Sequence, residues 1–483
     1  MSLWTRVKDG VMGLLTEKGT FQKIQLTPIS ELQQRQKTWR QMYSNNASWL
    51  VPNRIWSTNL SATASSEVAR LVTLDMRAAV TSDAVLENIF SKEVLWDIRN
   101  KVEYGLAFGA LILKPYLTGS KVRFTFAQPN MYEILQHDTD GTILEIYFKD
   151  YEAIRSEGYV QYIIRVEHHV FDRNLDTYYI TNEVYRSDKN GNIGVKYTNT
   201  QEALDLVLRW KGIAIEQILK GVTQPLFGFF RTATSNTIDT TSPHGVSIFD
   251  KAKDTIQLAD LQLSGLVREF KIKEGRLYVD RLTLDNTNRR RAVVPYLADD
   301  FYVRMDVEGR QGETFFEVFS PEIRSKAFLD TLNRYQQLVE DNIGLMHGTF
   351  SQPDKVDRTA TEVRESKHRT YSTVSSNQTA LRKSFEDALY AVAYYINKAT
   401  KDIILVTEFD DSLLKDPQET LLSMKEDVGA GLIRPEIYLA KKYKVSEDDA
   451  LKMMPKGPQL VRGTNTILTW SEVKSEHEEG TGE

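Results

Sequence analysis

Five groups of residues have types and spacing that chemistry could use. Asp410-Asp411 with nearby Asp416 offers the carboxylates from which a two-metal hydrolytic site is built, because paired cations clamp the attacking and leaving oxygens. An acid-rich helix start accounts for them equally well, since negative charge is favourable beside the free N–H groups of a first turn. His168 and His169 could ligate a metal, but adjacent side chains on a strand point to opposite faces and do not share one ion. Asp138-Thr139-Asp140-Gly141 matches the middle of a calcium loop. Aligning Gly141 with that loop's glycine puts Gln136 and Tyr147 where the first carboxylate and the bidentate glutamate belong. A hairpin turn is the better reading. Asp188 to Gly191 fails the same test, with Arg186 and Tyr197 at the end positions. Arg289-Arg290-Arg291 is the sharpest basic cluster. It reads as a solvated loop, or as a contact for an acidic partner protein or a phosphate.

No G-x-x-x-x-G-K-[ST], strand-linked G-x-G-x-x-G, H-E-x-x-H or G-x-S-x-G occurs. No catalytic constellation emerges, and no cofactor is expected. The 483 residues contain no cysteine, which excludes disulfide scaffolds, thiolate metal sites and cysteine nucleophiles. Lys+Arg 61 against Asp+Glu 66 gives a net charge of −5, so the chain as a whole is not a basic nucleic-acid binder. With 41% hydrophobic and 26% charged residues it can bury sizeable cores. Met1 to Gln25 lacks the apolar run of a signal peptide, and no stretch is apolar enough to suggest a transmembrane helix.

The elements that must position these residues follow from pattern. Ile29 to Tyr43, Ser65 to Ala79 and Ala84 to Glu103 read as helices. Ala110–Leu117, Lys121–Ala127, Ile143–Lys149, Tyr159–Phe171 and Thr177–Tyr185 read as an antiparallel meander, separated by turn residues such as Asp140-Gly141. Val246 to Phe270 carries an apolar stripe of Ile248, Ala252, Ile256, Ala259, Leu263 and Val267. A second helix starts at Ser320-Pro321-Glu322 and runs to Gly344. Thr359 to Lys398 is a long helix opening on a Thr-x-x-Glu capping box. Hydroxyl and β-branched residues from Thr370 to Ser376 predict a bend or break in it. Asp411 to Met454 reads as small helices joined at Gly429–Pro435.

The order of short motifs resembles the portal (head–tail connector) proteins of tailed bacteriophages. The motifs are Pro52-Asn53-Arg54-Ile55 with Val68-Ala69-Arg70-Leu71, Gly105 to Ala110 leading to Lys114-Pro115, and Gln128-Pro129 with Asp140 to Glu145. They continue with Phe227 to Arg231 and Ser242 to Phe249, then Phe319 to Arg324, and Thr359 to Val363. The resemblance implies an α+β fold of mixed α/β wing, two stem helices, small clip, long wing helix and helical crown, arranged as a ring. Residues 1–245 would be the wing, 246–270 and 321–344 the stem helices, and 271–320 the clip. The tunnel loop would span 345–358, the long wing helix 359–398 and the crown 399–470, with 471–483 a disordered acidic tail.

The resemblance also implies a structural, non-enzymatic role. In it, a dodecameric ring sits at one capsid vertex of the virion, assembled in the host cytoplasm with major capsid and scaffold proteins. Double-stranded DNA passes through it, and the terminase large subunit docks on the clip before head-completion and adaptor proteins replace it. No membrane is involved. The charge agrees with a conduit, because each phosphate neutralised opposes sliding. A helix is about 10 Å across, so a duplex about 20 Å wide needs roughly ten or more stem helices around it.

On the second stem helix Ile323, Ala327, Leu332, Leu338, Val339 and Ile343 form an apolar stripe. Asp330, Asn333, Arg334, Gln337 and Asp341 share the opposite face. These five are the channel-lining candidates, or else a solvated or inter-subunit surface. Gly348, Pro353, Asp354 and Lys355 are the tunnel-loop candidates, and Arg289, Arg290 and Arg291 the partner-docking candidates of the clip. The alternatives are a metal-dependent nuclease or processing enzyme using Asp410, Asp411 and Asp416, and an adaptor without a channel.

Overall fold

The polar segment Glu31–Tyr43 (α1) is helical because Leu32, Trp39 and Met42 fall on one side and bury there. The computed structural model describes residues 31–119, 121–156, 159–188, 193–273, 276–280, 302–305, 316–319, 324–352, 360–400, 402–409, 417–443 and 445–454. Leu60–Val72 (α2) buries Leu60, Ala64, Val68 and Val72. It begins and ends earlier than the sequence pattern suggests. Asp75, at φ 45, turns the chain out of the helix, and Arg77–Val80 becomes a strand (β1).

Ala84–Ile89 (α3) is capped by Asp83, whose carboxylate accepts from the Val85 and Leu86 amides. It runs into a π-turn at Phe90–Leu95, and Asp97 at φ 59 separates it from Ile98–Phe108 (α4). One expected helix is therefore two, divided by the wide turn and the left-handed residue.

The five expected strands are present and mostly longer than their pattern, but they divide between two sheets instead of forming one meander. Ala110–Thr118 (β2) and Lys121–Ala127 (β3) form a hairpin. Tyr132–His137 (β4), Ile143–Ser156 (β5), Tyr159–Asp172 (β6) and Thr177–Ser187 (β7) form a second antiparallel sheet in that order. Val195–Lys196 (β8) and, after the short helix Thr200–Asp205 (α5), Glu216–Lys220 (β9) both pair with β7. Gly228–Arg231 (β10) adds to the free edge of β2. Asp138 to Thr142 is the expected hairpin turn, and Arg173 bonds both Asp138 and Asp140 at 2.8 Å. His168 and His169 take opposite faces, the first on Glu145 and the second on Glu167 and Tyr178.

A buried ionic cluster joins the two sheets, with Lys114 on β2 and Arg165 and Glu167 on β6. Glu167 accepts from Lys114 at 2.5 Å and from Arg165 at 3.0 Å. Burial alone would raise the Glu167 carboxyl, but Lys114 and Arg165 hold it well below the usual range. Burial pushes the neighbouring His169 down to about 4, against the pull of Glu167.

A 3₁₀ turn at Asp250–Ala252 leads into Lys253–Lys273 (α6). Ile248, Ala252, Ile256 and Ala259 of the expected stripe are buried. Arg276–Asp280 (β11), Tyr302–Met305 (β12) and Phe316–Phe319 (β13) form a small sheet with β11 central, parallel to β12 and antiparallel to β13. Ser325–Ile343 (α7) packs on α6.

Ala360–Tyr395 (α8) runs unbroken through Thr370–Ser376, so the expected break does not occur. The hydroxyls bond inside the helix, with Ser376 donating to Ser372 O at 2.7 Å and Thr379 to Ser375 O at 3.0 Å. Thr370 and Thr373 instead reach the chain after α7. Tyr390 and Ala391 of α8 pack on Phe171, Tyr178, Ile180 and Leu226.

Leu405–Glu408 (β14) then pairs antiparallel with β1. The chain divides into two units, Met1–Asp410 and Asp411–Glu483. The second contains Pro417–Gly429 (α9), Pro435–Tyr443 (α10) and Glu447–Met453 (α11), joined where the sequence places the break. Ser446 caps α11 through the Asp449 amide.

Candidate functional site

The helices α6 and α7 begin and end at closely packed junctions. At the first, Gly109 at φ +88 meets Gly245 so closely that a Cβ on Gly109 would lie 2.4 Å from Gly245 O, and one on Gly245 2.2 Å from Gly109 O. Only glycine fits both positions. Thr232 N donates to Gly109 O at 3.0 Å, and the Thr232 hydroxyl to Val246 O at 2.6 Å. Ile248 N donates to Leu106 O at 3.1 Å. Beside them His244 is buried. Its Nδ1–H donates to Gly245 O at 2.6 Å, and its Nε2 accepts from Tyr132 OH at 2.8 Å. Burial holds this histidine down at about 4, so it is neutral.

α6 is fastened to the N-terminal segment by carboxylates. Asp250 Oδ1 accepts from Trp39 Nε1 at 2.7 Å. Asp260, 1% exposed, accepts from Thr58 N at 2.6 Å, Thr58 Oγ1 at 2.7 Å and Trp49 Nε1 at 2.9 Å. One turn on, the Ser264 hydroxyl accepts from Trp56 N at 2.9 Å.

α6 and α7 approach closely at Gly265, where a Cβ would meet the Phe328 ring at 2.7 Å. Arg324 and Glu269 form an ion pair across the two helices, and Arg324 holds the Glu269 carboxyl below its ordinary value.

α7 ends at Gly344, φ 83, with its N–H on Glu340 O at 2.9 Å. The turn that follows is held by side chains. Glu340, 0% exposed, accepts from Phe350 N at 2.5 Å, Ser351 N at 2.8 Å and Ser351 Oγ at 2.8 Å. Asn333 Oδ1 accepts from Gln352 N at 2.7 Å. Thr370 Oγ1 of α8 accepts from Met346 N at 2.8 Å, and the Thr373 hydroxyl donates to Gly344 O at 3.0 Å. Thr349 and Phe350 form one wall of a cleft of about 420 Å³, with Ala62, Thr63 and Glu67 of α2 and Glu103 of α4 opposite.

This succession of antiparallel sheets, α6, small sheet and α7 lies within the span matched by a family model. The family is described as phage portal protein, SPP1 Gp6-like, and the match covers residues 52–457. The chain belongs to the phage portal protein family. No curated protein matches it. The portal family is structural rather than enzymatic, and its members are virion proteins that assemble as rings with capsid and packaging partners.

Two of the motifs that carry the portal resemblance, Gly105–Ala110 and Ser242–Phe249, are thus the two sides of the Gly109–Gly245 junction. A third, Phe227–Arg231, contains β10, whose Gly228 lies against α8 so that a Cβ would meet Ser384 O at 2.1 Å.

The channel-lining candidates separate. Asp330 and Arg334 are exposed. Gln337 is buried and accepts from Arg334 at 3.1 Å. Asn333 and Asp341 are half-buried and engaged, the latter with Arg369 and with His347 at 3.0 Å. The stripe is therefore one face geometrically but not one open face. Gly348, φ 95, is exposed in the anchored turn, its N–H on Ser351 Oγ at 3.0 Å. Pro353, Asp354, Lys355, Arg289, Arg290, Arg291, Asp410, Asp411 and Asp416 lie outside the described residues.

Among the described residues no group of three or more His, Asp and Glu is placed to hold a metal, and no helix is long and apolar enough to cross a membrane. The fastening residues Asp260, Ser264, Glu340, Thr370 and Thr373 are absent from the sequence-based candidates. Their only signal is an acid or hydroxyl at a helix position facing inward.

Proposed function

We propose that the chain forms a dodecameric ring at one capsid vertex and conducts double-stranded DNA through it during packaging and ejection. The carrying observation is the pair of packed helices α6 and α7 flanking the β11–β13 sheet, within a span that matches the portal family. In this reading α7 contributes the channel wall. Its exposed members Asp330 and Arg334 have opposite signs, so passing phosphates meet no continuous basic rail that would oppose sliding. Residues 345–358 form the tunnel loop. The clip, residues 271–320, docks the terminase large subunit through Arg289, Arg290 and Arg291, and head-completion or adaptor proteins take its place afterwards. Major capsid and scaffold proteins surround the ring in the host cytoplasm.

Negative-stain images of the purified chain test the reading. Rings with a central hole wide enough for a duplex are expected. A population of compact monomers or dimers overturns it.

A further inference from the structure

Glu340 is in a costly place. A carboxylate in the last turn of a helix faces the negative end of the dipole, and burying it requires every lone pair to be matched. Yet its side chain is 0% exposed. All three of its donors belong to the turn after α7: the Phe350 and Ser351 amides at 2.5 and 2.8 Å and the Ser351 hydroxyl at 2.8 Å. Around it the same turn is bonded from Asn333 and Asp341 on α7 and from Thr370 and Thr373 on α8. Backbone groups at Gly344, Met346, Phe350, Ser351 and Gln352 are thus satisfied by side chains of two helices.

We infer that Glu340 is a positioning residue. It sets the turn 345–352 in one conformation and so fixes where the chain leaves the stem. The inference rests on the portal reading, in which this exit stands beside the DNA path. A free loop would let its first residues follow passing DNA. This turn does not, because loosening it requires stripping a buried carboxylate of its donors. Glutamine keeps one acceptor oxygen for the two amides, and its NH₂ can donate to the Ser351 hydroxyl. It should therefore replace glutamate here, whereas alanine cannot.

The test compares wild type, Glu340→Gln and Glu340→Ala as assembled full-length rings, by hydrogen exchange of the peptide covering 345–352 and by DNA packaging into proheads. For Glu340→Ala the expected result is exchange at Phe350 and Ser351 faster by about tenfold or more, with rings formed and packaging reduced. Glu340→Gln should keep exchange within about threefold of wild type and restore packaging. Should Glu340→Ala give no rings, Ser351→Ala, which removes a single donor, is expected to show the same changes in smaller measure. Unchanged exchange in the alanine variant, or faster exchange with full packaging, overturns the inference. Wild-type protein that forms no rings overturns the portal reading instead, while exchange on the same samples still decides whether Glu340 anchors the turn.

Discussion

His244 and His169 are each buried, neutral and held down to about 4. An unfolded chain restores both to near 6.5 and so takes up protons first as the pH drops. Their contribution to stability is therefore complete above about pH 6.5 and declines between there and pH 4, by up to about 3 kcal/mol each. Glu167 is likewise held low, in its case by Lys114 and Arg165 acting against burial. Its contribution is present above the ordinary carboxylate range and lost only at still lower pH. Urea titrations should give a lower midpoint at about pH 5 than at pH 7.5, and His244→Gln should shrink that difference. An identical midpoint at both values contradicts the assignment. Asp260→Ala leaves the Thr58 amide and the Trp49 indole without their acceptor, and should cost about 2–4 kcal/mol in the same titration. Neither role was legible in the sequence. An aspartate on an amphipathic helix looks like a surface acid until the segment that covers it is known, and Thr58 is 202 residues away.

At the scale of elements, pattern found what local physics decides. The stripe from Ile248 to Val267 and the alternation in β5 to β7 belong to long periodic segments. Arg77–Val80 could not be read as a strand, because four residues carry little period and the partner is β14. The break expected in α8 failed for a similar reason. Its hydroxyls weaken an isolated helix, but here Thr370 and Thr373 gain partners in the turn after α7 and Ser376 bonds back to Ser372. Replacing Ser372, Ser375 and Ser376 by alanine should accordingly leave α8 in shape and raise stability by a few tenths of a kcal/mol per site. A loss of more than about 1 kcal/mol in thermal unfolding shows that the serines do more than this. Gly109→Ala is the contrasting case: the left-handed backbone and the 2.4 Å approach to Gly245 O leave no room. It should cost about 2–3 kcal/mol or prevent folding, read as the loss of soluble protein.

For the whole molecule, charge on the proposed channel wall is the property to alter. Asp330 is the suitable position because it is exposed, whereas Asp341 bonds Arg369 and His347 and its loss would take that partner from both side chains. Asp330→Lys rings should assemble normally and package DNA more slowly at low salt, with recovery as salt rises, because each added phosphate contact carries a salt-dependent term. Packaging equal to wild type at every salt concentration places this face away from DNA. The proposed ring was legible only through the order of motifs, because closure is a property of copies meeting head to tail.

The ribbon of β1 and β14 has a consequence for how the protein is made. Lys398 bonds Asp83 across 315 residues of chain, and just beyond it Leu405–Glu408 lies against Arg77–Val80. At about 5–20 residues per second, translation separates these partners by tens of seconds. Until then β1 waits without its strand partner. The ribbon therefore closes long after β1 itself has been made. A nascent chain stalled before β14 would hold an open strand edge to its neighbours on the same message, and unfinished subunits would lack the ribbon that completed ones carry.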